Sequence, residues 1–525
     1  MMFVKGWTVT SMIHPRKSLL LSGTILSLAV SGSVSSQQIS DVKDFLGPRF
    51  APATEVAAPR LSAGAHATNA AEFLRHWNAV AVDASGLDHT PVAPGDPRVF
   101  GEQLGPARAS RAMAIVHIAM FDAVNAISSD YRSYTQLAPF RRGTSMNAAI
   151  AQAARDTLVA MFPSQQSTFD QSLAAELAAM PNDRPKAYGV DLGHRAALAI
   201  LALRSNDGSQ QREPRLGVQF FTRNNPGNWR QDPVSHSPIA LGASWGSVQP
   251  FVIQSSTQFR APVPPAMDSP EYAVAYQEAK LYGGDGITTP TLRTADQTHI
   301  GTFWAYDGTP SLCAPPRLYN QITMHLADQL GTSANPVELA RLLALVNVAM
   351  ADAGIAIWES KYFYQYWRPV TGIRESDPGT GPTGLGDGNP ATVGDPNFRP
   401  LGAPASNLTG PNFTPPFPSY PSGHGGFGGA LFETLRNFYG RDNIAFTFTS
   451  DELNGSTVDN QGNVRPFLPR SFSSLSQAEE ENGQSRIYLG IHWSFDKTAA
   501  IAQGRQVADY VFAHAFTRAP IKRGR

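Results

Sequence analysis

The sequence predicts an all-α protein, built of helical bundles joined by long connecting loops. Three observations predict it. Apolar residues recur at three- and four-residue spacing through several long, alanine-rich stretches, the pattern of helices that bury one face or their whole surface. Two-residue alternation is weak and scattered, with residues 248–253 the best strand-like stretch. The 45 glycines and 41 prolines, beside a 10% share of aromatic residues, point to long structured loops rather than disorder.

At the start of the chain, basic Arg16 and Lys17 precede an apolar run over residues 19–30 and small residues over 31–36. That is the layout of a secretory signal, and about a dozen apolar residues are too few to span a bilayer comfortably. Residues 1–36 are therefore read as a signal peptide and the protein as secreted or periplasmic. Residues 37 to about 70 form an arm of low periodicity. Helices are expected over 107–127, 146–161, 187–203, 271–281, 317–330, 336 to about 358, 423–439 and 492–516. Long loops fall at 205–267, 375–420 and 447–474, and loops of that length in a compact chain serve function or form lids. The division is an N-terminal helical region, 37–290, and a C-terminal one, 291–525, that carries the site described next. No later segment reads as a membrane span.

Lys+Arg and Asp+Glu each number 42, and charged residues make up only 16% of the chain. That neutral surface lacks the basic footprint of a nucleic-acid or anionic-membrane binder. The single cysteine, Cys313, leaves no intrachain disulfide and no Cys-based metal or redox motif.

Three segments carry chemistry. In Lys361-Tyr-Phe-Tyr-Gln-Tyr-Trp-Arg368-Pro369, the two cations are seven apart, so two helical turns place both on one face and Pro369 then stops the helix. Two cations on an aromatic segment are expensive to bury unless an anion meets them. In Pro421-Ser422-Gly423-His424, a helix opens. Free amides of Ser422 and Gly423 with the Ser422 hydroxyl make an anion site at the positive end of the dipole, and His424 stands within reach of an anion oxygen. In the segment from Ser485 to Asp496, Gly490 can break the helix so that Arg486 and His492 converge. Asp496, four residues after His492 on the next helix, can fix its tautomer. Three cations, an anion nest and two histidines describe a cage for a phosphate-shaped oxyanion.

The three segments resemble the pattern of the vanadium-dependent haloperoxidases and the phosphatidic-acid phosphatase clan: Lys, six residues, Arg-Pro; Pro-Ser-Gly-His; Ser-Arg, five residues, His, three residues, Asp. Similarity to the chloroperoxidase branch goes further. It includes Phe303-Trp-Ala-Tyr-Asp307-Gly, the run Pro315–Gln321, Asp352-Ala-Gly-Ile355, Trp358 and Pro415-Pro-Phe417-Pro, over roughly residues 295–500. The resemblance implies two packed four-helix bundles with vanadate as cofactor in the C-terminal one. By the same resemblance, His492 would bond the vanadium. Lys361, Arg368, Ser422, Gly423 and Arg486 would hold its equatorial oxygens. His424 would be the acid–base group, and Asp307 would pair with Arg486 and orient His424. Lys361 would also polarise a bound peroxide oxygen.

The activity implied is oxidation of halide, chloride and/or bromide, by hydrogen peroxide to hypohalous acid, which halogenates small organic acceptors. Trp358 and Phe417 match the aromatic pair beside the halide; bromoperoxidases of algal type carry His at the latter position. Gly425-Gly426 depart from the branch's pattern and are expected to loosen the helix start that holds His424. The runner-up reading is an acid phosphatase using the same cage with His492 as nucleophile and His424 protonating the leaving group. The third is an exported phosphate- or vanadate-binding protein without catalysis. The sequence leaves the oligomeric state open, and a homo-oligomer is compatible with it.

Overall fold

The structure, a computed structural model, describes residue 39, residues 41–52 and residues 67–520. The expected signal peptide at 1–36 lies outside the described residues. Fourteen α-helices are present among the described residues: α1 (Val42–Leu46), α2 (Ala70–Asp88), α3 (Gly105–Ser128), α4 (Met146–Met161), α5 (Gln166–Ala179), α6 (Arg184–Arg204) and α7 (Pro270–Tyr282). They continue with α8 (Ala295–Phe303), α9 (Pro315–Gln329), α10 (Pro336–Tyr364), α11 (Pro369–Arg374), α12 (Gly423–Tyr439), α13 (Leu475–Tyr488) and α14 (Ser494–His514). Among the described residues the strands form two short antiparallel pairs, β1 (Ala51–Pro52) with β2 (Leu408–Thr409) and β3 (Phe446–Phe448) with β4 (Arg470–Phe472). The all-α class expected from periodicity is the observed one.

Helix starts follow from their caps. The Asn69 side chain accepts the amides of Ala71 and Glu72 to open α2, and Asn335, followed by Pro336, does the same for α10. Thr294 and Gln297 form a capping box on α8. Helices α2, α3, α4 and α6 pack on one another as one group of four, and α10, α12, α13 and α14 as another, with α3 against α10 joining them. Both α3 and α10 are long and apolar enough to cross a membrane. The apolar window of each is 94% buried inside this protein, so packing against each other accounts for their hydrophobicity.

In the second group, glycines set the spacing. A Cβ at Gly426 would meet Ile357 Cδ1 at 2.2 Å, one at Gly429 the Ile501 carbonyl at 2.6 Å, and one at Gly504 the Gly426 carbonyl at 2.1 Å. The glycines of α12 therefore permit close approach to α10 and α14. Gly425 and Gly426, expected to loosen the helix start, are both buried, Gly425 against α14 and Gly426 against α10.

Other local readings change. Residues 248–253 form no strand; the Asp352 carboxylate accepts the amides of Phe251, Val252 and Ile253 in place of a ladder partner. Helix α13 has no apolar period because its buried face is polar, with Glu479, Asn482, Ser485 and Arg486 turned inward. Lys361 and Arg368 do not share a helix. α10 ends at Tyr364, Gln365 turns left-handed at φ 47°, and Arg368 is the N-cap of α11. Pro369 thus starts a helix, its ordinary place at the first helical position.

Candidate active site

The carboxyl end of α10, the amino end of α12, the α13–α14 turn and the loops before α9 and α12 converge on one buried centre. Gly490, at φ 69°, breaks the chain between α13 and α14, so Arg486 and His492 face the same space. His492 precedes α14 instead of riding on it. Asp496, in the first turn, accepts from the Trp493 amide (3.1 Å) and from His492 Nδ1 (2.8 Å). One carboxylate oxygen thereby caps the helix and fixes the imidazole tautomer. His492 Nε2 is left as the acceptor, and Arg368 Nη1 donates to it at 3.0 Å. The Ser419 hydroxyl also donates to Asp496, a partner no spacing rule reveals.

His424 is held differently. Its Nε2 donates to the Ala305 carbonyl at 2.6 Å, which leaves Nδ1 as the free base. Asp307 Oδ1 stands 3.9 Å from that Nδ1, beyond hydrogen-bond reach. Asp307 instead takes two hydrogen bonds from Arg486 Nη2, at 2.8 and 2.7 Å. The orienting role expected of Asp307 toward His424 belongs to the Ala305 carbonyl. Behind the ring, Tyr319 and Asn482 both donate to the His424 carbonyl, at 3.1 and 2.9 Å.

The three cations are all buried. Arg368 donates to the carbonyls of Phe417 (3.0 Å) and Ile491 (2.8 Å). Lys361 spends its three ammonium hydrogens on the carbonyls of Pro418, Ser419 and Pro421. It therefore ties down the turn that leads into α12, and a direct bond to a ligand requires giving one of these up. Arg486 is the exception: its Nε and Nη1 are buried with no partner among the described residues. The Ser422 amide, expected to be free, donates to the Asp496 carbonyl at 3.0 Å. The Ser422 side chain accepts the Gly425 amide at 3.3 Å as the N-cap of α12. The amide of Gly423, in the first turn, has no acceptor within its helix.

Protonation follows from burial. Burial, then the nearby Arg486, pushes the His424 pKa well down. Burial, then Arg368 and Lys361, does the same to His492, and both imidazoles are neutral at pH 7. Burial, then Arg368, pulls Lys361 well down, and burial brings Arg368 to about 9. Burial raises Asp307 despite Arg486 and lifts Asp496 to about 7. Burial leads every one of these shifts, and the sign of a missing counterion is that three buried cations share one carboxylate contact while two Arg486 nitrogens have no partner among the described residues.

A cavity of about 20 Å³ opens here, lined by Asp307, Gly423, His424, Arg486 and His492 on one side and Trp358 and Phe417 on the other. Lys361, Arg368 and Ser422 stand behind this lining. The Trp358 and Phe417 rings lie 4.9 Å apart, and Phe417 lies 5.0 Å from both Lys361 Nζ and Arg368 Cζ. Trp358 Nε1 donates to the Leu241 carbonyl at 3.1 Å.

The centre fits an oxyanion better than a bare cation. Among the described residues no group of three or more His, Cys, Asp or Glu could hold a metal ion. The orphaned Arg486 donors face where anion oxygens would lie. A Cβ at Gly423 would meet only Trp358, at 3.5 Å, so protein packing alone does not demand glycine there. Vanadate fits: one imidazole nitrogen for the metal, cationic donors for its oxygens.

The vanadium chloroperoxidase of Curvularia inaequalis is 31% identical over 510 residues, spanning 82% of this chain and 79% of that one. The chain belongs to the vanadium-dependent haloperoxidase family. The family model for the VCPO second helical-bundle domain matches residues 341–519, which hold every candidate residue except Asp307. Two solved structures share the fold. The first bacterial vanadium-dependent iodoperoxidase superposes with a TM-score of 0.66 at 22% identity, covering 87% of this chain and 100% of that one. A holo-type bacterial vanadium-dependent chloroperoxidase does so with a TM-score of 0.56 at 17% identity, covering 81% and 95%.

Proposed function

We propose that this family member binds vanadate in the cage and oxidises halide with hydrogen peroxide, giving hypohalous acid that halogenates small organic acceptors. The observation that carries the reading is the apolar wall of Trp358 and Phe417 set directly against a two-histidine cationic cage. The cage alone would serve phosphoryl transfer equally well. An aromatic wall beside it strips water from a halide, which phosphate chemistry does not need.

Vanadate, when bound, supplies a Lewis-acidic centre that activates peroxide. His492 Nε2 would hold it in place of the hydrogen bond it accepts from Arg368 Nη1, with Asp496 on Nδ1 fixing the tautomer. Arg486 Nε and Nη1, which have no protein partner among the described residues, the Gly423 amide and the Ser422 hydroxyl would bond its oxygens, while Lys361 and Arg368 would add charge from behind. His424 Nδ1, neutral at pH 7 and clamped through Nε2 by the Ala305 carbonyl, takes the proton from hydrogen peroxide. Chloride and bromide are the halides proposed, with iodide tested beside them, since the relatives named above are a chloroperoxidase and an iodoperoxidase. The arrangement of residues 1–36 makes export part of this reading.

The test is halogenation of a cyclic diketone by vanadate-loaded protein, with peroxide and chloride, bromide or iodide in turn. Turnover that requires vanadate and falls by about 10²-fold or more in His492→Ala supports the reading. The His492–Asp496 pair also has the form of an activated nucleophile. Phosphate release from a phosphomonoester without halogenation of any halide would replace the haloperoxidase with a phosphohydrolase.

A further inference from the structure

The cavity's lining includes one residue from far outside the bundle that builds the cage. Phe45, on the five-residue helix α1, is the only described lining residue before Pro106. It is 3% exposed and packs edge-on against Phe413, ring centres 6.1 Å apart, which Phe50 also meets at 5.8 Å. A Cβ on Gly308 would lie 2.3 Å from the Phe45 ring. The ring thus presses on the backbone next to Asp307.

Residues 41–52 form a strap that buries Val42, Leu46 and Phe50 in the core and is tied to loops by polar contacts. The Ser237 hydroxyl donates to the Phe45 carbonyl at 2.7 Å, Arg215 pairs with Asp44 at 2.7 Å, and Ala51 and Pro52 pair with Thr409 and Leu408. Gly47, at φ 112°, lies so close to the Ser235 carbonyl that a Cβ would sit 2.1 Å from it. Apart from Phe45 itself, these contacts serve to hold the strap, not to build the cage.

The space left behind this wall is small. The cavity measures about 20 Å³, where one water needs roughly 10–15 Å³. Peroxide, halide or a compact oxyanion is on that scale, and a phenyl ring is far above it. We propose that the strap is a size filter, with Phe45 the residue that keeps organic molecules from the cage. On the haloperoxidase reading, on which this consequence rests, halogenation of organic acceptors happens after hypohalous acid has left. Bulky hydroperoxides are then excluded as oxidants. With such an oxidant the O–O bond would break, the halide would give up two electrons to form hypohalous acid, and the alkoxide oxygen would take a proton and leave as an alcohol.

Titration calorimetry on the vanadate-free protein with inorganic phosphate and with phenylphosphonate tests the filter without relying on turnover. The wild type is expected to favour phosphate by at least tenfold, Phe45→Ala to narrow that ratio by about tenfold, and Phe45→Trp to widen it. The double variant Asp44→Ala/Ser237→Ala loosens the strap without altering the lining and is expected to narrow the ratio to a lesser degree. Equal ratios in wild type and all variants would overturn the filter. Failure of the wild type to bind phosphate would overturn the anion cage, and the filter with it. The paired kinetic measurement compares hydrogen peroxide with cumene hydroperoxide in bromide oxidation. The cumene-to-hydrogen peroxide ratio of kcat/KM is expected to rise at least tenfold in Phe45→Ala, and an unchanged ratio counts against Phe45 as the wall.

Discussion

Two buried places in this protein each gather three cations and two carboxylates. Beneath the first helical group, Arg108, Arg111 and Arg204 meet Asp207 and Glu213; in the cage, Lys361, Arg368 and Arg486 meet Asp307 and Asp496. The arithmetic is the same and the geometry is opposite. Arg111 and Arg204 sit directly on Asp207, at 2.7 and 2.8 Å. Burial pushes the Asp207 carboxyl up, but the two guanidiniums overrule it and hold it below the usual range. In the cage only Arg486 touches a carboxylate. Asp496 accepts instead from Ser419, His492 and the Trp493 amide, and burial, which these bonds only partly offset, raises it to about 7. The first cluster finds its counter-charges within the protein, with Arg204 Nε alone of its nitrogens left without a partner among the described residues. The second needs an anion that the protein does not supply. Burial pulls Arg111 down just as it does Arg368, so what distinguishes the structural ion cluster from the ligand site is which buried charges touch a partner.

The largest expected effects set these two against each other. Asp207→Asn strands two buried guanidiniums and should cost about 3–5 kcal/mol of stability, while phosphate affinity stays within about threefold. Gly423→Ala should do the reverse. Its Cβ meets only Trp358 at an ordinary 3.5 Å, and alanine is the better helix former by up to about 1 kcal/mol. Stability therefore holds or rises slightly, whereas phosphate affinity falls by about tenfold or more as the methyl enters the space of the anion. Urea unfolding and calorimetry on both variants read the two quantities. A Gly423→Ala protein that binds phosphate normally would remove Gly423 from the cage.

The next effect is a pH dependence shared by both regions. His117, buried in α3, is pushed down to about 4 by burial, while His424 and His492 are displaced the same way. An unfolded histidine titrates near 6.5, so below that pH the unfolded chain binds protons that the folded chain refuses. Stability from these groups is fully present above about pH 6.5 and is lost as pH falls toward the folded values. His117 alone accounts for about 3 kcal/mol between pH 6.5 and 4. Carboxylates that burial raises to about 7, Asp88 and Asp496 among them, act in the opposite direction, so the test is a difference: from pH 7.5 through 5.5 to 4.5 the wild type should lose stability relative to His117→Gln, with a slope steeper by up to about one proton. A slope unchanged by that substitution would show that other groups carry the acid sensitivity.

Much of the fold and the cage was legible because both leave marks that spacing can read. Long apolar periods gave away α3, α4, α10 and α12, and the three cation- and histidine-bearing segments gave the cage's composition. What escaped has physical reasons. α13 buries Glu479, Asn482 and Arg486, so its inward face carries no apolar period. The break at Gln365 that brings Arg368 to the cage is a left-handed residue with no glycine to announce it. The acceptors that orient His424 and hold Lys361 are backbone carbonyls, of Ala305 and of residues 418, 419 and 421, which every residue possesses. Phe45 reaches the cavity from more than 250 positions before Asp307, through a strap whose sequence has no period at all.

The smallest expected effect bears on what separates the cage from a phosphate site, its aromatic wall. Phe417 faces two cations at 5.0 Å and the Trp358 ring at 4.9 Å. It screens Lys361 and Arg368 with a ring face and keeps water from the space beside them, each contact contributing about 0.5–2 kcal/mol when desolvated. Phe417→His keeps a planar ring but brings donors and water to the wall. Chloride holds its hydration more tightly than bromide or iodide, so its oxidation should suffer most. The chloride-to-bromide ratio of kcat/KM is expected to fall by about tenfold, a difference of about 1.4 kcal/mol, while iodide turnover changes by less than about threefold. An equal fall for all three halides would mean that Phe417 supports the position of Arg368 and Lys361 and does not select the halide. The aromatic wall would then belong with the Asp207 cluster, as packing that stabilises charge, and halide choice would have to be sought among the other groups lining the cavity.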